Sequence, residues 1–417
     1  MMGIDDVKRR EVLLANLDEG GFIVLYSGTA PDRSADGQYP FTVSRNFYYL
    51  TGLDREGFVY VAHKLNGETH EVVFIERPDP DKEKWTGFRM REEEARERSG
   101  IDKVMYREDF EPYLNRLLLR GEFHEVYLDL EARRLDGPFS LAQQFAATLR
   151  DRHSYLTIKN AYPIISALRR IKSDDEVEQL RKAIAITGTG LERLWLYARP
   201  GLTEYQLEAH FDFALKMAGV QETAFPTIVA SGANATVLHY VENNRVTQEG
   251  ELVLLDLGAQ FGNYCADISR TFPISGRFTA RQKELYEIVL KTQAAVIAAV
   301  RPGFPMKELN EIAKKTLTEE LLRIGLIKEE SELGRYYYHN VSHFLGLDTH
   351  DVGVYDGELE PGMVITAEPG LYVAEEGIGI RIEDDVLVTA DGAEVLSRAI
   401  PKQVEEIEAV MATRERL

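Results

Sequence analysis

The chain has 417 residues, of which 44% are hydrophobic, 10% aromatic and 28% charged. This length exceeds what one hydrophobic core usually supports, so more than one domain is expected, and the near-average composition excludes fibrous and intrinsically disordered proteins. The 49 Lys and Arg residues against 69 Asp and Glu residues give a net charge of −20, which repels phosphate backbones and argues against a nucleic-acid partner.

The sequence shows no signal for secretion or membrane insertion. Met1 to Arg10 lacks the apolar core of a signal peptide, and the longest nearly apolar stretch, Ala294 to Val300, is far shorter than a membrane span. Cys265 is the single cysteine, so an intramolecular disulfide cannot form. We therefore expect a cytoplasmic protein without a membrane partner.

In chain order, the first part alternates strand-like runs with helical or turn-rich stretches, as in an α/β domain. The strand-like runs are Gly21–Tyr26, Phe58–Ala62, Glu71–Ile75 and Glu125–Leu128. Ser173 and Glu176 then form a capping box before helically spaced apolar residues, so a long helix is expected to open a second domain. The sequence predicts an α/β (α+β) fold with domains at 1–172 and 173–417.

The second domain contains an internal repeat. Arg199-Pro200-Gly201 recurs as Arg301-Pro302-Gly303, and each copy lies between helix signals and precedes β-rich sequence. Chance recurrence of a short turn is the alternative interpretation. The matching context favours duplicated α/β halves, which would leave a central groove suited to a functional site.

The first half of this repeat contains two acids on apolar, strand-like runs. A hairpin centred between Phe261 and Gly262 would make Asp256 and Asp267 cross-strand neighbours, with Cβ atoms roughly 5 Å apart. Such a pair is unfavourable unless one carboxylate is protonated or a cation lies between them. A register shifted by one or two residues, with each Asp solvated, is the alternative.

The second half repeats this arrangement with glutamates. A hairpin centred between Glu375 and Glu376 would place Glu368 opposite Glu383. A block that contains His339, His343 and His350 lies between the two acid pairs, and a neutral imidazole is an available ligand. Four carboxylates and one imidazole are typical of a site for two divalent ions, and such ions favour hydrolysis of acyl or phosphoryl bonds.

Four blocks after residue 172 indicate a family. They are D-L-G…D-I-S-R-T-F, H-x-x-S-H-F-L-G-L-D-x-H-D-V-G, E-P-G-L-Y and G-I-G-I-R-I-E-D-D. In this order they resemble the pita-bread metallopeptidases, family M24, which include methionine aminopeptidase, Xaa-Pro dipeptidase and aminopeptidase P. Three segments before residue 172 resemble the N-terminal domain of aminopeptidase P: Tyr39-Pro40-Phe41, Asn46–Gly52 and Trp85-Thr86-Gly87. The resemblance implies a creatinase-like α/β domain followed by a pita-bread domain with pseudo-two-fold halves, closest to the Xaa-Pro aminopeptidases.

The resemblance also implies a binuclear metal centre. Its five ligands would be Asp256, Asp267, His343, Glu368 and Glu383, with Asp267 and Glu383 bridging the ions. The two divalent ions would be Mn²⁺, with Co²⁺ or Zn²⁺ as alternatives. Glu368 would both hold a metal and move the proton of the nucleophile.

Four further residues take roles by resemblance. His350 would donate to the carbonyl oxygen or oxyanion, His239 would aid proton or peptide handling, and His339 would border the proline pocket. Arg381 would steady the site by hydrogen bonding. The alternatives are a partly buried, structurally satisfied side chain for His239 and simple neutralisation of nearby acids for Arg381.

The expected function is a metalloexopeptidase that removes an N-terminal residue from a peptide when proline follows it. The family suggests a homodimer or homotetramer. The closest alternative is an Xaa-Pro dipeptidase, which differs in whether space beyond the proline is open. A non-catalytic pita-bread binding protein is a remote alternative, because such proteins replace ligands and the five ligand positions are intact here.

Overall fold

The computed structural model describes residues 4–132, 134 and 136–414, and its residue contacts divide the chain into two units between Arg169 and Arg170. The domain boundary expected from the sequence, after residue 172, stays a prediction. Among the helices that the structure describes, none combines the length and apolarity that crossing a membrane requires.

The first unit is built on a mixed sheet. Its strands are β1 (Gly21–Tyr26), β2 (Val59–Leu65), β3 (Glu68–Ile75), β4 (Val104–Tyr106), β5 (Glu125–Leu128) and β6 (Thr157–Asn160). They lie in the order β4-β3-β2-β1-β5-β6, with β1–β2 and β2–β3 antiparallel and the other pairs parallel. The four predicted strand-like runs are therefore confirmed, although β2 and β3 are longer than expected.

Helices cover this sheet and close its core. They are α1 (Ile4–Ala15), α2 (Arg45–Thr51), α3 (Pro80–Thr86), α4 (Glu92–Ser99), α5 (Phe110–Leu119), α6 (Leu141–Arg152) and α7 (Tyr162–Arg170). Phe22, Val61 and Phe74 of the sheet pack with Phe110 and Leu149 in one buried apolar cluster. Burying each such side chain contributes about 1.5–3 kcal/mol relative to leaving it exposed.

The second unit contains two helix pairs and a C-terminal helix. These are α8 (Asp174–Tyr197), α9 (Glu204–Met217), α10 (Ala280–Ala299), α11 (Glu308–Arg323) and α12 (Val404–Ala412). The predicted capping box is confirmed, since Ser173 Oγ accepts from Glu176 N at 3.4 Å and Glu176 Oε2 accepts from Ser173 N at 3.1 Å. Helix α8 packs on α9, and α10 packs on α11.

The strands of the second unit follow the same duplication. They are β7 (Ile228–Ser231), β8 (Leu252–Leu257), β9 (Gln260–Phe261), β10 (Tyr264–Cys265), β11 (Ile268–Pro273), β12 (Val364–Ala367), β13 (Gly370–Val373), β14 (Ile378–Arg381), β15 (Asp384–Thr389) and β16 (Gly392–Val395). Antiparallel sheets form in the orders β11-β8-β7 and β12-β15-β16, one after each helix pair, with the ribbons β9–β10 and β13–β14 beside them. This arrangement confirms the predicted α/β class and the duplicated halves.

Candidate metal centre

A cavity of about 310 Å³ in the second unit gathers all the predicted site residues. Leu238, Asn340, Ser342 and Tyr355 complete its lining. The predicted residues that line it are Asp256, Asp267, His343, Glu368, Glu383, His239, His339, His350 and Arg381.

The first acid pair reaches the cavity in a register that differs from the predicted one. Asp256 of β8 is paired with Ser269 of β11, and Asp267 precedes that strand, so the two acids are diagonal rather than direct neighbours. The turn explains the shift, because Gly262 and Asn263 both have positive φ, 55° and 66°, and form its two-residue centre. A shift of two residues keeps both acids on the same face, so both still line the cavity.

The second acid pair follows the predicted register. The β13–β14 ribbon pairs Gly370 with Arg381, and the β12–β15 ladder pairs Ala367 with Asp384. Both ladders have the same register, and in that register Glu368 lies opposite Glu383. Glu383 N also donates to Ser269 O of β11 at 3.0 Å, which brings this acid against the first half.

Three donor groups converge tightly in the cavity. Single ligand atoms of Asp267, His343 and Glu383 all lie within 4.8 Å of one another. His343 Nε2 lies 3.3 Å from Asp267 Oδ2 and 3.5 Å from Glu368 Oε1. His343 Nδ1 donates to Phe344 O at 3.0 Å, so in the neutral ring Nε2 is an acceptor that faces carboxylate oxygens.

The electrostatics of this cluster fit bound cations. Burial raises the pKa of Asp267 and of Glu383 well above their ordinary values, and neighbouring acids raise both further. Burial also raises the pKa of Glu368. Asp256 Oδ1 is buried without a hydrogen-bond partner. Hydrogen-bond acceptors therefore face one another in this cluster, and one carboxylate oxygen has no hydrogen-bond donor. Divalent ions between these acceptors would stabilise the arrangement.

Arg381 links both acid pairs through a hydrogen-bond network. Its Nη2 donates to Asp256 Oδ2 at 2.7 Å, and its Nε donates to Ser269 Oγ at 2.8 Å. Ser269 Oγ in turn donates to Glu383 Oε2 at 2.7 Å. These contacts orient one acid of each pair. Ser269 was not predicted, although it lies inside the D-I-S-R-T-F block.

Tyr372 extends this network to His339. Arg381 Nη1 donates to Tyr372 OH at 3.1 Å, so the phenol hydrogen is free to donate to His339 Nε2 at 2.9 Å. His339 Nδ1 donates to Asn340 O at 2.8 Å, and burial lowers the pKa of His339 to about 4 with Arg381 adding to the effect. His339 is therefore a neutral ring in one orientation. Tyr372 was also not predicted, although the E-P-G-L-Y block contains it.

The remaining histidines lie where an incoming molecule could reach them. His239 and His350 are both exposed residues of the cavity lining. The His350 ring lies 4.2 Å from the His343 ring between centroids. The backbone N of Asp351, the next residue, donates to Phe344 O at 2.9 Å. This hydrogen bond joins the two ends of the loop that runs from His343 to His350.

Comparisons with known proteins agree with this arrangement. Two family models match the chain, described as "Metallopeptidase family M24" over residues 178–390 and "Aminopeptidase P, N-terminal domain" over residues 7–127. The Xaa-Pro aminopeptidase of Escherichia coli (strain K12) is 34% identical over 432 residues, which cover 97% of this chain and 96% of the relative.

Solved structures are similar over the whole length. A Bacillus anthracis protein provisionally named an aminopeptidase P is 47% identical with a TM-score of 0.98, and the match covers 100% of both chains. Zn-substituted Escherichia coli aminopeptidase P in complex with product is 33% identical with a TM-score of 0.90, and the match covers 99% of both chains.

Proposed function

The chain belongs to metallopeptidase family M24 and has the N-terminal domain of aminopeptidase P, and from this premise we propose that it is a metal-dependent Xaa-Pro aminopeptidase. It hydrolyses the bond between the N-terminal residue of a peptide and a following proline. The observation that carries this proposal is the cavity that gathers two acid pairs and an imidazole, with Asp267, His343 and Glu383 donor atoms within 4.8 Å of one another.

In this proposal five residues hold two divalent ions: Asp256, Asp267, His343, Glu368 and Glu383. When bound, such ions polarise a carbonyl and generate a nucleophile from water at neutral pH. The donor set fits them, because it is acceptor-rich, buried and supplied with hydrogen bonds that orient individual carboxylates.

The chain's own groups move protons and orient the peptide. Glu368 has its Oε1 near His343 and its Oε2 3.9 Å from His339 Nδ1, and we assign to Oε2 the uptake and release of the nucleophile's proton. His350 donates to the carbonyl oxygen as negative charge develops there. His239, on the exposed side of the cavity, orients the peptide.

Selectivity for proline follows from its chemistry. The imide nitrogen of proline has no hydrogen to donate, so the site must recognise the ring by shape and apolar contact. The neutral His339 ring packs at a tilt against Tyr337 and edge-on against Tyr372, with centroids 5.0 Å and 5.5 Å away, and it provides a rigid face for such a contact. We assign the proline pocket to this face.

Peptide hydrolysis tests the proposed function. With added Mn²⁺, the protein is expected to release the first residue from Xaa-Pro-Yaa-Zaa peptides and to leave Xaa-Ala-Yaa-Zaa peptides intact. His343→Ala should abolish the release, and His70→Ala, at a half-exposed histidine of the first unit, should not. Hydrolysis of the Xaa-Pro dipeptide in preference to the longer peptide would instead establish the dipeptidase.

Three finer assignments belong to this proposal. We propose Mn²⁺ as the native metal, because carboxylate oxygens with one imidazole suit it, while Co²⁺ and Zn²⁺ remain the alternatives that metal analysis would identify. We propose a homodimer or homotetramer, which light scattering during size-exclusion chromatography tests. We propose a cytoplasmic location on the basis of the single cysteine, and cell fractionation tests it.

A further inference from the structure

The segment that presents His239 to the cavity has no regular secondary structure between the 3₁₀ turn Gly232–Thr236 and strand β8. Backbone hydrogen bonds to the start of α9, such as Glu204 N to Arg245 O at 2.9 Å, hold its far end, and side-chain contacts hold the part nearer His239. We propose that Glu204, on the first turn of α9, is the positioning residue for His239. This inference rests on the proposed function, because it concerns a residue of the same cavity.

Glu204 is 0% exposed and accepts hydrogen bonds from five donor groups. Its Oε1 accepts from Ser231 N and Ser231 Oγ, both at 2.7 Å, and from Asn234 Nδ2 at 3.2 Å. Its Oε2 accepts from Tyr240 OH at 2.8 Å and from Arg245 N at 2.9 Å. One carboxylate thus ties the end of β7, the 3₁₀ turn and both flanks of the Tyr240–Arg245 segment together.

The chemistry of these contacts requires a carboxylate. All five partners are donors, and an ionised carboxylate is an acceptor-only group with about four lone-pair sites. A glutamine would direct an N–H₂ group at donors and leave buried groups unpaired, which is costly. The negative charge is also favoured by its place at the N-terminal end of α9.

The hydrogen bond between Tyr240 and Glu204 connects Glu204 to the cavity. Tyr240 is buried and adjacent in sequence to His239, which is exposed on the cavity side. Asn243 fixes the next turn, since its Oδ1 accepts from Val229 N at 3.0 Å and its Nδ2 donates to Thr227 O at 2.8 Å. His239 is therefore held by the residues that follow it.

The turn that Glu204 holds also supports the opposite wall. Tyr338 OH donates to Thr236 O at 2.6 Å, and β14, which ends at Arg381, approaches the turn so closely that a Cβ on Gly379 would overlap Ala235 O. A displacement of the turn would therefore change both the position of His239 and the contact with β14.

Kinetics of Glu204→Gln test the assignment. A misplacement of about 1 Å can cost about 100-fold in rate, so for a smaller shift of His239 we expect kcat for an Xaa-Pro-Yaa-Zaa peptide to fall about tenfold, with Mn²⁺ content unchanged. Because Glu204 acts mainly through His239, Glu204→Gln should slow His239→Ala much less than it slows the unsubstituted protein. The matched control is Glu320→Gln, a buried acid on α11 that pairs with Lys291 and Arg323, and it should keep the activity of the unsubstituted protein.

Two further measurements keep the proposal falsifiable. Should Glu204→Gln fail to fold, Tyr240→Phe removes one donor with little change of shape and is expected to lower kcat in the same direction. A crystal structure of whichever variant folds should show the His239 imidazole displaced from the cavity wall. Unchanged kcat and an unmoved imidazole, or additive losses in the double variant, would overturn the assignment. Absence of Xaa-Pro hydrolysis by the unsubstituted protein would instead refute the proposed function, while the imidazole position would still report on Glu204.

Discussion

Arg381 Nη2 donates to Asp256 Oδ2 across 2.7 Å, which joins the second half of the pita-bread unit to the first acid of the candidate metal centre. The guanidinium is buried, and its Nε and Nη1 donate to Ser269 and Tyr372 at the same time. A planar group with several donors in fixed directions can do this, and a lysine ammonium cannot.

We therefore predict that Arg381→Lys weakens Mn²⁺ binding about 10–100-fold, the range seen when a residue that orients a metal ligand is replaced, and lowers kcat/KM with it. Calorimetric Mn²⁺ titration and steady-state kinetics measure the two effects. Arg181→Lys, at a half-exposed arginine that pairs with Glu394, is the matched control and should change neither. Unaltered metal affinity in Arg381→Lys would show that the guanidinium only neutralises charge.

Asp267→Asn should have opposite effects on the protein with and without metal. Burial raises the pKa of Asp267, and Asp256 and Asp385 raise it further, so the acid is unfavourable there without a cation. With a chelator present, Asp267→Asn should unfold at a temperature at least as high as the unsubstituted protein. Added Mn²⁺ should raise the unfolding temperature of Asp267→Asn much less than that of the unsubstituted protein. Thermal unfolding under both conditions decides this, and an equal metal-induced gain in both proteins would contradict it.

Lys172 and Asp351 form an ion pair whose side chains are each 1% exposed, with Nζ and Oδ2 2.9 Å apart. Removal of one partner leaves a buried charge uncompensated, so Lys172→Met should destabilise the second unit by about 3–5 kcal/mol. The double variant Lys172→Met/Asp351→Asn should recover part of this loss. Urea unfolding measures both, and a double variant that is less stable than Lys172→Met would exclude the explanation.

His63 predicts a pH dependence for the first unit. Burial, together with His70, Arg120 and Lys103, lowers the pKa of His63 from 6.5 to about 4. Between these values the unfolded chain binds more protons than the folded one, so this histidine makes stability fall as pH falls from 6.5 towards 4, by on the order of 2 kcal/mol.

His63→Gln should flatten that acid limb, which chemical unfolding at pH 7 and pH 5 would measure. The same substitution at His153, at the end of α6, should keep the pH dependence of the unsubstituted protein. A His63→Gln protein with an unchanged acid limb would assign the effect to other groups.

The fold and the acid pairs could be predicted because their signals are local. Capping boxes, alternating apolar runs and the acids in apolar strands depend on neighbouring residues alone. The second hairpin was placed in its observed register, whereas the first was displaced by two residues. In the first hairpin the two-residue turn at Gly262–Asn263 sets the register. The prediction instead placed the turn so that Asp256 and Asp267 were opposite each other, and it did not use the preference of Gly and Asn for positive φ.

The supporting residues could not be predicted in the same way. Ser269, Tyr372 and Glu204 are a hydroxyl, a phenol and an acid among many in the chain, and their partners are distant in sequence. Ser269 and Tyr372 at least lie inside recognisable blocks. Glu204 has no such signal, because its role depends on donors that only the folded loop brings together.

We propose that two acid pairs and one imidazole share this cavity because two divalent cations lie among them. Anomalous diffraction at the manganese edge, from crystals grown with Mn²⁺, tests it most directly. We predict two peaks inside the cavity, in contact with Asp256, Asp267, His343, Glu368 and Glu383. A cavity without a peak, or peaks held by other residues, would contradict it.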